Sequence, residues 1–439
     1  MGARETALNV LIACRKENAW SNGVLKEYVI RDRLDSRDAA LAARLCYGVQ
    51  QNRNKLDFYL AQLLTGKLKD LHPVLRDILH LGIYQLYEMD KIPTSAAVNE
   101  SVTLAKKYCP KQKFAPGLTN AVLRNAVRSR DTLRQPVKLE DQYSHPKALI
   151  ELLRQSVGTD RLEQMLKANN TIPSTVIQVN TLRVTTEELI KKLESEGVSA
   201  QMHGWMPDCL VLSNTGNLEK LSTFREGLFY VQDPASKLSV MCAQILKGEK
   251  LRILDCCAAP GGKSFAAAIA SGGSAEVTSC DIHDHKIALI QNGAERLGLK
   301  NIHAQCHDAT QDRVQWHDQM DVVLADVPCS GYGIIRKKPD IRDKDPKTME
   351  SLPQLQLQIL SKQADYVRPG GILMYSTCTV LKRENADVVM QFLQQRQDFA
   401  LEDLPIPREI TQDSRGMLTL IPGEYDTDGF FICRLRRKA

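Results

Sequence analysis

Long hydrophobic runs are missing from this sequence. No stretch of its 439 residues approaches the roughly 20 consecutive apolar residues of a membrane-spanning helix. The opening segment, MGARETALNVLIACRKE, has no basic region followed by a long apolar run, so it does not resemble a secretory signal peptide. We therefore expect a cytoplasmic protein with no membrane partner.

Cysteine pairs at metal-ligand spacing are missing as well. The chain has 12 cysteines but no CxxC motif, and the adjacent Cys256 and Cys257 have no second pair at zinc-ligand spacing. In a reducing compartment the cysteines should be free thiols, and most of them should be small buried hydrophobic residues. This pattern argues against a structural zinc site, and we expect no bound metal.

Aromatic residues are scarce, and positive charge is unevenly spread. Aromatics make up 5% of the chain, so side chains that stack on bases cannot be assigned beyond candidates such as Tyr332. Residues 1–150 hold 24 Lys and Arg against 15 Asp and Glu, a net charge of +9 within a total of +6. A positive N-terminal third suggests contact with the phosphates of a polyanion. The same charges would also suit the solvated surface of a helical domain.

The first 145 residues are predicted to form an all-α domain. Two stretches, DAALAARLCYGVQQNRNKLDFYLAQLL and PVLRDILHLGIYQLYEM, carry apolar residues at helical spacing. Prolines separate the helical segments; they are Pro73, Pro93, Pro110 and Pro116.

Residues 146–245 are predicted to form a small α+β domain. The candidate strands are STVIQVNTL, CLVLS and GLFYV. Between them, TTEELIKKLESEGV is a helix with Thr185 or Thr186 as its N-cap and Gly197 at its end.

Residues 246–439 repeat a pattern of strand, loop and helix, which predicts a doubly wound, mostly parallel α/β sheet. The candidate strands are LRILD, VTSCD, NIHAQC, DVVLAD, GILMYST and FFICRL. The last of them follows a long connection, and we expect it to be an antiparallel edge strand. With about 100–200 residues per domain, three domains fit the length of the chain.

The segment LRILDCCAAPGGKS is a strand, a tight loop of small residues and the start of a helix. Asp255 ends the strand, and Gly261 and Gly262 let the backbone approach a ligand closely at a helix N-terminus. A phosphate-binding P-loop would need glycine at position 257, and the dinucleotide fingerprint GxGxxG is absent. These absences argue against an NTPase or a dehydrogenase.

Acidic residues follow the next two strands. Asp281 closes VTSCD, where a carboxylate can bind both hydroxyls of a ribose, and Asp308 follows NIHAQC, near the expected adenine position. Each could instead be a helix N-cap. Together, beside a glycine loop, they suit S-adenosylmethionine, which is cationic and carries no phosphate. The predicted cofactor-binding residues are Asp255, Cys256, Cys257, Ala258, Ala259, Pro260, Gly261, Gly262, Lys263, Asp281, Asp308 and Asp326.

Two later strands end in loops that carry a cysteine, Cys329 in DVPCSG and Cys378 in YSTCT. In a doubly wound sheet both loops leave at the same edge as the cofactor loop, beside the methyl donor. A thiolate that adds to carbon 6 of cytosine makes carbon 5 able to attack a sulfonium methyl group. Asp326 is placed to assist at ring N3. A free thiol has a pKa near about 8.5, so its surroundings must activate the nucleophile.

The motifs DCCAAPGGK, MDVVLADVPCSG and YSTCT are similar to those of the RNA cytosine-5 methyltransferases, class I enzymes of the RsmB/NOP family. The resemblance implies that Cys378 attacks the base and that Cys329 acts as the release or base residue; the reverse roles are the arrangement of the DNA enzymes. Lys263 matches a family lysine close to the reacting groups. The predicted catalytic residues are Cys378, Cys329, Asp326 and Lys263.

The resemblance extends over nearly the whole chain. FYVQDPASKLS resembles the family's entry to the catalytic domain, and IPTSAAVNESVTLAKKY and GLTNAVLRNAV resemble the NusB fold, an RNA-binding module. A NusB-like domain on this catalytic domain implies an enzyme that methylates 16S ribosomal RNA of the small subunit. We expect the protein to be a monomer. Two alternatives stay open, a tRNA methyltransferase with the same core and an RNA-binding protein with a vestigial catalytic domain. The retained motifs argue against the second.

Overall fold

A computed structural model describes residues 1–17, 19–411 and 415–439. The chain divides into two compact units. The helical unit comprises Met1–Leu152, Leu166–Thr171 and Ile335–Lys344. The sheet unit comprises Leu153–Met165, Ile172–Ile334 and Asp345–Ala439. Domain boundaries at 145 and 245 stay a prediction, because this division follows contacts between residues and not the change of fold type.

The N-terminal region is all-α, as predicted. Its helices are α1 Ala3–Glu17, α2 Ser21–Arg31, α3 Ser36–Gln51, α4 Arg53–Leu63, α5 Pro73–Glu88, α6 Thr94–Tyr108, α7 Ala115–Ser129 and α8 Leu139–Gln142. Pro73 is the first residue of α5, where a proline costs no hydrogen bond. Leu8, Leu45 and Ile78 lie in a core with no solvent exposure. The long apolar pattern over residues 38–64 forms two helices that meet at Asn52, whose side chain donates to the carbonyl of Gly48 at 2.9 Å.

The helical unit also contains a segment from far along the chain, Ile335–Lys344. Arg342 in this segment is 1% exposed, and its Nη1 atom donates to the carbonyl oxygens of Gln51 at 2.8 Å and Ser144 at 3.1 Å. The Asp340 carboxylate accepts hydrogen bonds from Ser21 Oγ and Gln50 Nε2. The charged segment KKPDIRDKD predicts a solvated loop. The burial of Arg342 in the helical unit therefore differs from what the sequence predicts.

A small antiparallel sheet confirms the α+β prediction for the middle region. Its strands are β1 Thr175–Val179, β2 Ser199–Met202, β3 Cys209–Ser213 and β4 Phe229–Val231, in the order β2-β3-β1-β4. Two helices precede the sheet, α9 Lys147–Val157 and α10 Thr159–Ala168. In the chain, α11 Thr186–Ser195 lies between β1 and β2, and α12 Ser222–Arg225 lies between β3 and β4. Thr185 is the N-cap of α11, and it forms a reciprocal capping box with Glu188.

The C-terminal region forms a large, mostly parallel sheet, as predicted. Its strands are β5 Arg252–Asp255, β6 Glu276–Asp281, β7 Ile302–Cys306, β8 Met320–Asp326, β9 Val367–Thr377, β10 Phe399–Leu401, β11 Met417–Leu420 and β12 Phe430–Arg437. The order is β10-β12-β9-β8-β5-β6-β7, with β11 also paired to β12. Helices α13 Pro234–Met241, α14 Gly262–Ala270, α15 Asp284–Leu297, α16 Leu352–Ala364 and α17 Ala386–Gln395 accompany the sheet.

The last strand differs from its prediction in one respect. β12 is antiparallel to β9, as expected, but it is not an edge strand. The short strands β10 and β11 both pair with its outer side, β10 near Arg437 and β11 near Cys433. Strands of three and four residues leave too little pattern in the sequence to be recognised. Within the described ranges, no helix combines the length and the apolar character that crossing a membrane requires.

Candidate functional site

The strands β5, β6, β7, β8 and β9 run parallel, so their carboxyl ends meet at one edge of the sheet. Asp255 ends β5 and Asp326 ends its neighbour β8. In the parallel pairing of β8 and β9, Asp326 is aligned with Ser376. This edge therefore collects the polar residues that the sequence places at strand ends, which is where ligands of open α/β sheets bind.

Asp255 is a buried carboxylate at the centre of this edge. Its Oδ2 atom accepts a hydrogen bond from Ser264 Oγ at 2.7 Å, and Ser264 Oγ in turn accepts one from Ser279 Oγ at 2.7 Å. Its Oδ1 atom has no hydrogen-bond partner in the described part of the chain. Burial raises the pKa of Asp255 to about 7. A cationic ligand group at the free oxygen would hold the carboxylate ionised.

The loop that follows Asp255 brings backbone close to its neighbours. Gly261 has a φ of +110° and is the N-cap of α14. A Cβ atom on Gly262 would lie 2.9 Å from Gln232 Nε2. Cys256 is buried in the hydrophobic core, so only its backbone could face a ligand, whereas Cys257 is partly exposed. The loop has the small-residue surface that close approach by a ligand requires.

The two further predicted acids differ in their local bonding. Asp281 is 7% exposed, accepts from the His283 backbone N–H and lies 3.4 Å from Lys286 Nζ. The N-cap of α15 is His283, so Asp281 is not the helix cap. Asp308 accepts from both the backbone N–H and the hydroxyl of Thr310, and this local turn accounts for one of its oxygens.

Lys263 and Asp326 form an ion pair beside the glycine loop. The Nζ of Lys263 lies 2.6 Å from Asp326 Oδ2 and 2.9 Å from Ser236 Oγ. Ser376 Oγ donates to the other oxygen of Asp326 at 2.8 Å. The Lys263 ammonium also lies 5.0 Å from the ring centroid of Phe430, within range of a cation–π contact. The sequence motifs predict Lys263 and Asp326 but not Ser236 or Phe430, which lie in distant segments of the chain.

The two predicted cysteines meet at this edge. Cys329 Sγ and Cys378 Sγ lie 3.1 Å apart, and both residues are partly exposed. The hydrogen bond with Cys378 raises the pKa of Cys329 well above that of an ordinary thiol, and burial and the negative charges of Glu384 and Asp326 add to the effect. Either thiol can donate to the other across this distance, and a proton held by one of them stabilises a thiolate on the other.

Backbone contacts fix the two cysteine loops against each other. The N–H of Gly333 donates to the carbonyl of Cys378 at 3.0 Å, and the N–H of Gly429 donates to the carbonyl of Gly333 at 2.8 Å. A Cβ atom on Gly333 would collide with the carbonyl oxygen of Gly429 and lie 2.8 Å from that of Cys378. Tyr332, the candidate for base stacking, has no solvent exposure, so that suggestion is wrong.

One group of potential metal ligands occurs elsewhere in the described residues. Ligand atoms of Asp312, His317 and Asp365 lie within 4.8 Å of one another. The Nζ atom of Lys362 is 3.3 Å from both carboxylates. The ammonium of the lysine therefore supplies the positive charge at this place, which lies apart from the predicted catalytic residues.

Comparisons with known proteins identify the family and the domains of the chain. A family model described as 16S rRNA methyltransferase RsmB/F matches residues 243–436, the NusB family matches residues 1–128, and a ferredoxin-like domain of RsmF/B-like methyltransferases matches residues 145–219. The chain is 34% identical to the probable ribosomal RNA small subunit methyltransferase B of Bacillus subtilis, over 99% of this chain and 98% of the relative. It is 31% identical to the ribosomal RNA small subunit methyltransferase B of Klebsiella pneumoniae, over 93% of this chain and 92% of the relative.

Solved structures share the fold. The crystal structure of a protein named PH0851 matches 100% of this chain and 99% of its own, with a TM-score of 0.80 and 23% identity. The structure of NSun6 from Pyrococcus horikoshii with SFG matches 67% of this chain and 98% of its own, with a TM-score of 0.58 and 21% identity.

Proposed function

Because the chain belongs to the RsmB family of small-subunit ribosomal RNA methyltransferases, we propose that it transfers a methyl group from S-adenosylmethionine to carbon 5 of a cytosine in 16S ribosomal RNA. The observation that carries the proposal is the thiol pair, Cys329 and Cys378, with its Sγ atoms 3.1 Å apart. A thiol nucleophile beside a second thiol suits addition to a pyrimidine ring and later release.

The residues at the sheet edge fit S-adenosylmethionine. The free oxygen of buried Asp255 can accept a hydrogen bond from a cationic amino group, and the small-residue loop that follows it leads into the N-terminus of α14, whose backbone N–H groups can face a ligand. Asp281 would bind the ribose hydroxyls, and the residues around Asp308 would face the adenine. When bound, this molecule supplies the electrophilic methyl group that carbon 5 of the base takes up.

Cys378 is assigned as the nucleophile. The hydrogen bond from Cys329 stabilises a thiolate on Cys378, which forms a bond from Sγ to carbon 6 of the cytosine. Ring N3 takes up a proton from solvent in this step, and the Asp326 carboxylate can accept a hydrogen bond from the new N3–H. Lys263 and Ser376 hold that carboxylate in place through its two oxygens. Carbon 5 then has enamine character and can be methylated.

Cys329 is assigned to release. Once Cys378 Sγ is bonded to carbon 6, it no longer stabilises the proton of Cys329, and that proton can pass to solvent. The Cys329 thiolate then takes the proton from carbon 5. The bond from Sγ to carbon 6 breaks, its electron pair returns to Cys378, and N3 loses the proton it gained. The products are 5-methylcytosine in RNA and a free enzyme.

The helical unit is assigned to RNA binding. A cavity of about 620 Å³ lies between α6 and α7. Its lining residues are Thr94, Ser95, Val98, Asn99, Arg124, Val127 and Arg128. The lining includes two arginines and no acid, and neither arginine has an ion-pair partner in the described ranges. Unpaired guanidinium groups in a concave surface suit the phosphates of RNA.

The proposal is tested by transfer of a tritiated methyl group from S-adenosylmethionine to unmodified small-subunit ribosomal RNA, with tRNA and large-subunit ribosomal RNA in parallel. We expect label in the small-subunit RNA alone, recovered as 5-methylcytosine after digestion to nucleosides. Label in tRNA alone would keep the chemistry and overturn the substrate. Cofactor binding without label in naked RNA or in small-subunit assembly particles would instead favour the RNA-binding protein without catalysis.

A further inference from the structure

We propose that Glu384 and Gln356 are positioning residues that hold the backbone on both sides of Cys329 and so control the release of the methylated RNA. The proposal rests on the function proposed above, in which Cys329 acts in release and Cys378 in attack. Neither residue belongs to the motifs that predict the site. Both come from elements outside the two cysteine loops.

Glu384 and Gln356 form hydrogen bonds with the backbone on both sides of Cys329. Glu384 Oε2 accepts hydrogen bonds from the backbone N–H of Ser330 at 2.9 Å and from Gln356 Nε2 at 2.9 Å. The same Nε2 donates its second hydrogen to the carbonyl oxygen of Pro328 at 2.9 Å. The polar backbone groups directly before and after Cys329 are therefore bound by two side chains that are bound to each other. Such a closed set of hydrogen bonds leaves the loop little freedom to move its thiol.

The pair is itself immobilised. Glu384 and Gln356 have no solvent exposure. Gln356 lies on α16, and Glu384 ends a 3-10 turn, Lys382–Glu384, that follows the Cys378 loop. The hydroxyl of Tyr375, on β9, donates to the backbone carbonyl of Glu384 at 2.6 Å. The turn that carries the carboxylate is thereby fixed to β9, the strand that leads into Cys378, so one framework sets both thiols.

Burying the Glu384 carboxylate lowers the free energy of unfolding relative to a neutral side chain at this position. In the described ranges Glu384 accepts hydrogen bonds only from neutral donors and forms no ion pair, and its Oε1 atom has no partner. A buried carboxylate without a cation is destabilising relative to a neutral side chain of the same shape. A carboxylate oxygen accepts stronger hydrogen bonds than an amide oxygen does, so the charge of Glu384 strengthens the bonds from Ser330 and Gln356 that position Cys329.

The test compares the covalent enzyme–RNA adduct with the methylated product. Glu384→Gln keeps the size of the side chain but removes the charge, and Gln356→Leu removes the bond to Pro328. Both variants should still attack the base through Cys378. Release should slow, so the ratio of denaturation-resistant adduct to methylated product should rise by about tenfold or more, the effect of losing a hydrogen bond to a charged group.

A matched control is available on the same helix. Gln363 also lies on α16 with no exposure, and its Nε2 donates to a backbone carbonyl, that of Ala309, at 2.8 Å. Gln363→Leu removes a similar bond from a different loop and should leave the adduct-to-product ratio unchanged. Thermal unfolding of each variant identifies a loss of folded protein, which lowers adduct and product together and leaves their ratio as it was.

The outcomes separate this inference from the proposed function. If Cys329→Ala accumulates adduct but Glu384→Gln and Gln356→Leu show the wild-type ratio, the positioning role is overturned and the covalent chemistry stands. If Cys329→Ala itself accumulates no adduct, the release step of the proposed function is overturned. If Gln363→Leu raises the ratio as much as Gln356→Leu does, the effect belongs to the helix in general and the specific role is overturned.

Discussion

Cys329 Sγ and Cys378 Sγ lie 3.1 Å apart although 49 positions separate the two residues in the chain. The cause is the parallel pairing of β8 with β9, which aligns Asp326 with Ser376 and sends both loops out at the same edge. Gly333 allows the loops to approach closely, because a side chain there would collide with the carbonyl oxygen of Gly429. A topological relationship, and not a local motif, brings the thiols together.

Asp255 should make cofactor affinity depend on pH. Its pKa of about 7 lies above the usual value of about 3.9, so the carboxyl is protonated below pH 7 and must ionise to bind a cationic group well. The affinity for S-adenosylmethionine should therefore rise by up to about tenfold per pH unit between pH 5.5 and 7, with proton release, and then level off. Calorimetric titration in buffers of different ionisation enthalpy measures both quantities.

Two variants control this titration. Asp255→Asn should abolish the pH dependence together with much of the affinity. Asp281→Asn, at the expected ribose position, should weaken binding and leave the pH dependence in place. A wild-type affinity that is flat between pH 5.5 and 7 would contradict the role given to Asp255.

The arginine-lined cavity between α6 and α7 should contribute to RNA binding through charge. Replacing Arg124 and Arg128 by Gln should lower the slope of log K against log salt by about 2, because each arginine is expected to neutralise one phosphate. Fluorescence anisotropy with labelled ribosomal RNA at several salt concentrations gives the slope. Cofactor affinity should not change.

The control for this pair uses cations of the helical unit that already have acidic partners. Arg31 lies 2.8 Å from Asp32, and Lys107 lies 2.5 Å from Glu5. Arg31→Gln with Lys107→Gln removes the same formal charge and should leave the slope nearly unchanged. Equal reductions of the slope in the two double variants would mean that net charge, and not this cavity, governs binding.

Arg342 should stabilise the helical unit through hydrogen bonds to backbone carbonyls. Burial lowers the pKa of Arg342 to about 10, because removing the guanidinium charge from water costs free energy. Arg342→Met would leave the carbonyls of Gln51 and Ser144 without this donor, and the free energy of unfolding should fall by about 2 kcal/mol or more. Urea unfolding followed by circular dichroism measures the change. A Met variant as stable as wild type would mean that the cost of burying the charge cancels the bonds.

Much of the sheet and of the site follows from local sequence pattern. Short apolar strands that end in Asp255, Asp281 and Asp326 predict both the fold and the edge that collects these acids, because strand ends in parallel sheets share an edge. An ion pair joins Lys263 and Asp326, two residues of the predicted catalytic set, and their catalytic roles stay a prediction.

The residues that sequence analysis missed have no local pattern. Glu384 and Gln356 are polar residues buried by partners from distant elements, and their types alone predict solvent exposure. Arg342 lies in a charged segment, yet the helical unit buries it because backbone carbonyls of Gln51 and Ser144 converge on its guanidinium group. Tertiary packing decides the environment of each of these three side chains.

The most direct test of the central claim is to identify the residue that carries the covalent adduct. Cys329→Ala is incubated with S-adenosylmethionine and small-subunit ribosomal RNA, digested with nuclease and protease, and analysed by mass spectrometry. We expect a nucleotide attached to Cys378, with the added mass of a methyl group on its cytosine, and no adduct in Cys378→Ala. A nucleotide attached to Cys329 in the Cys378→Ala variant would contradict it and reverse the roles of the two thiols.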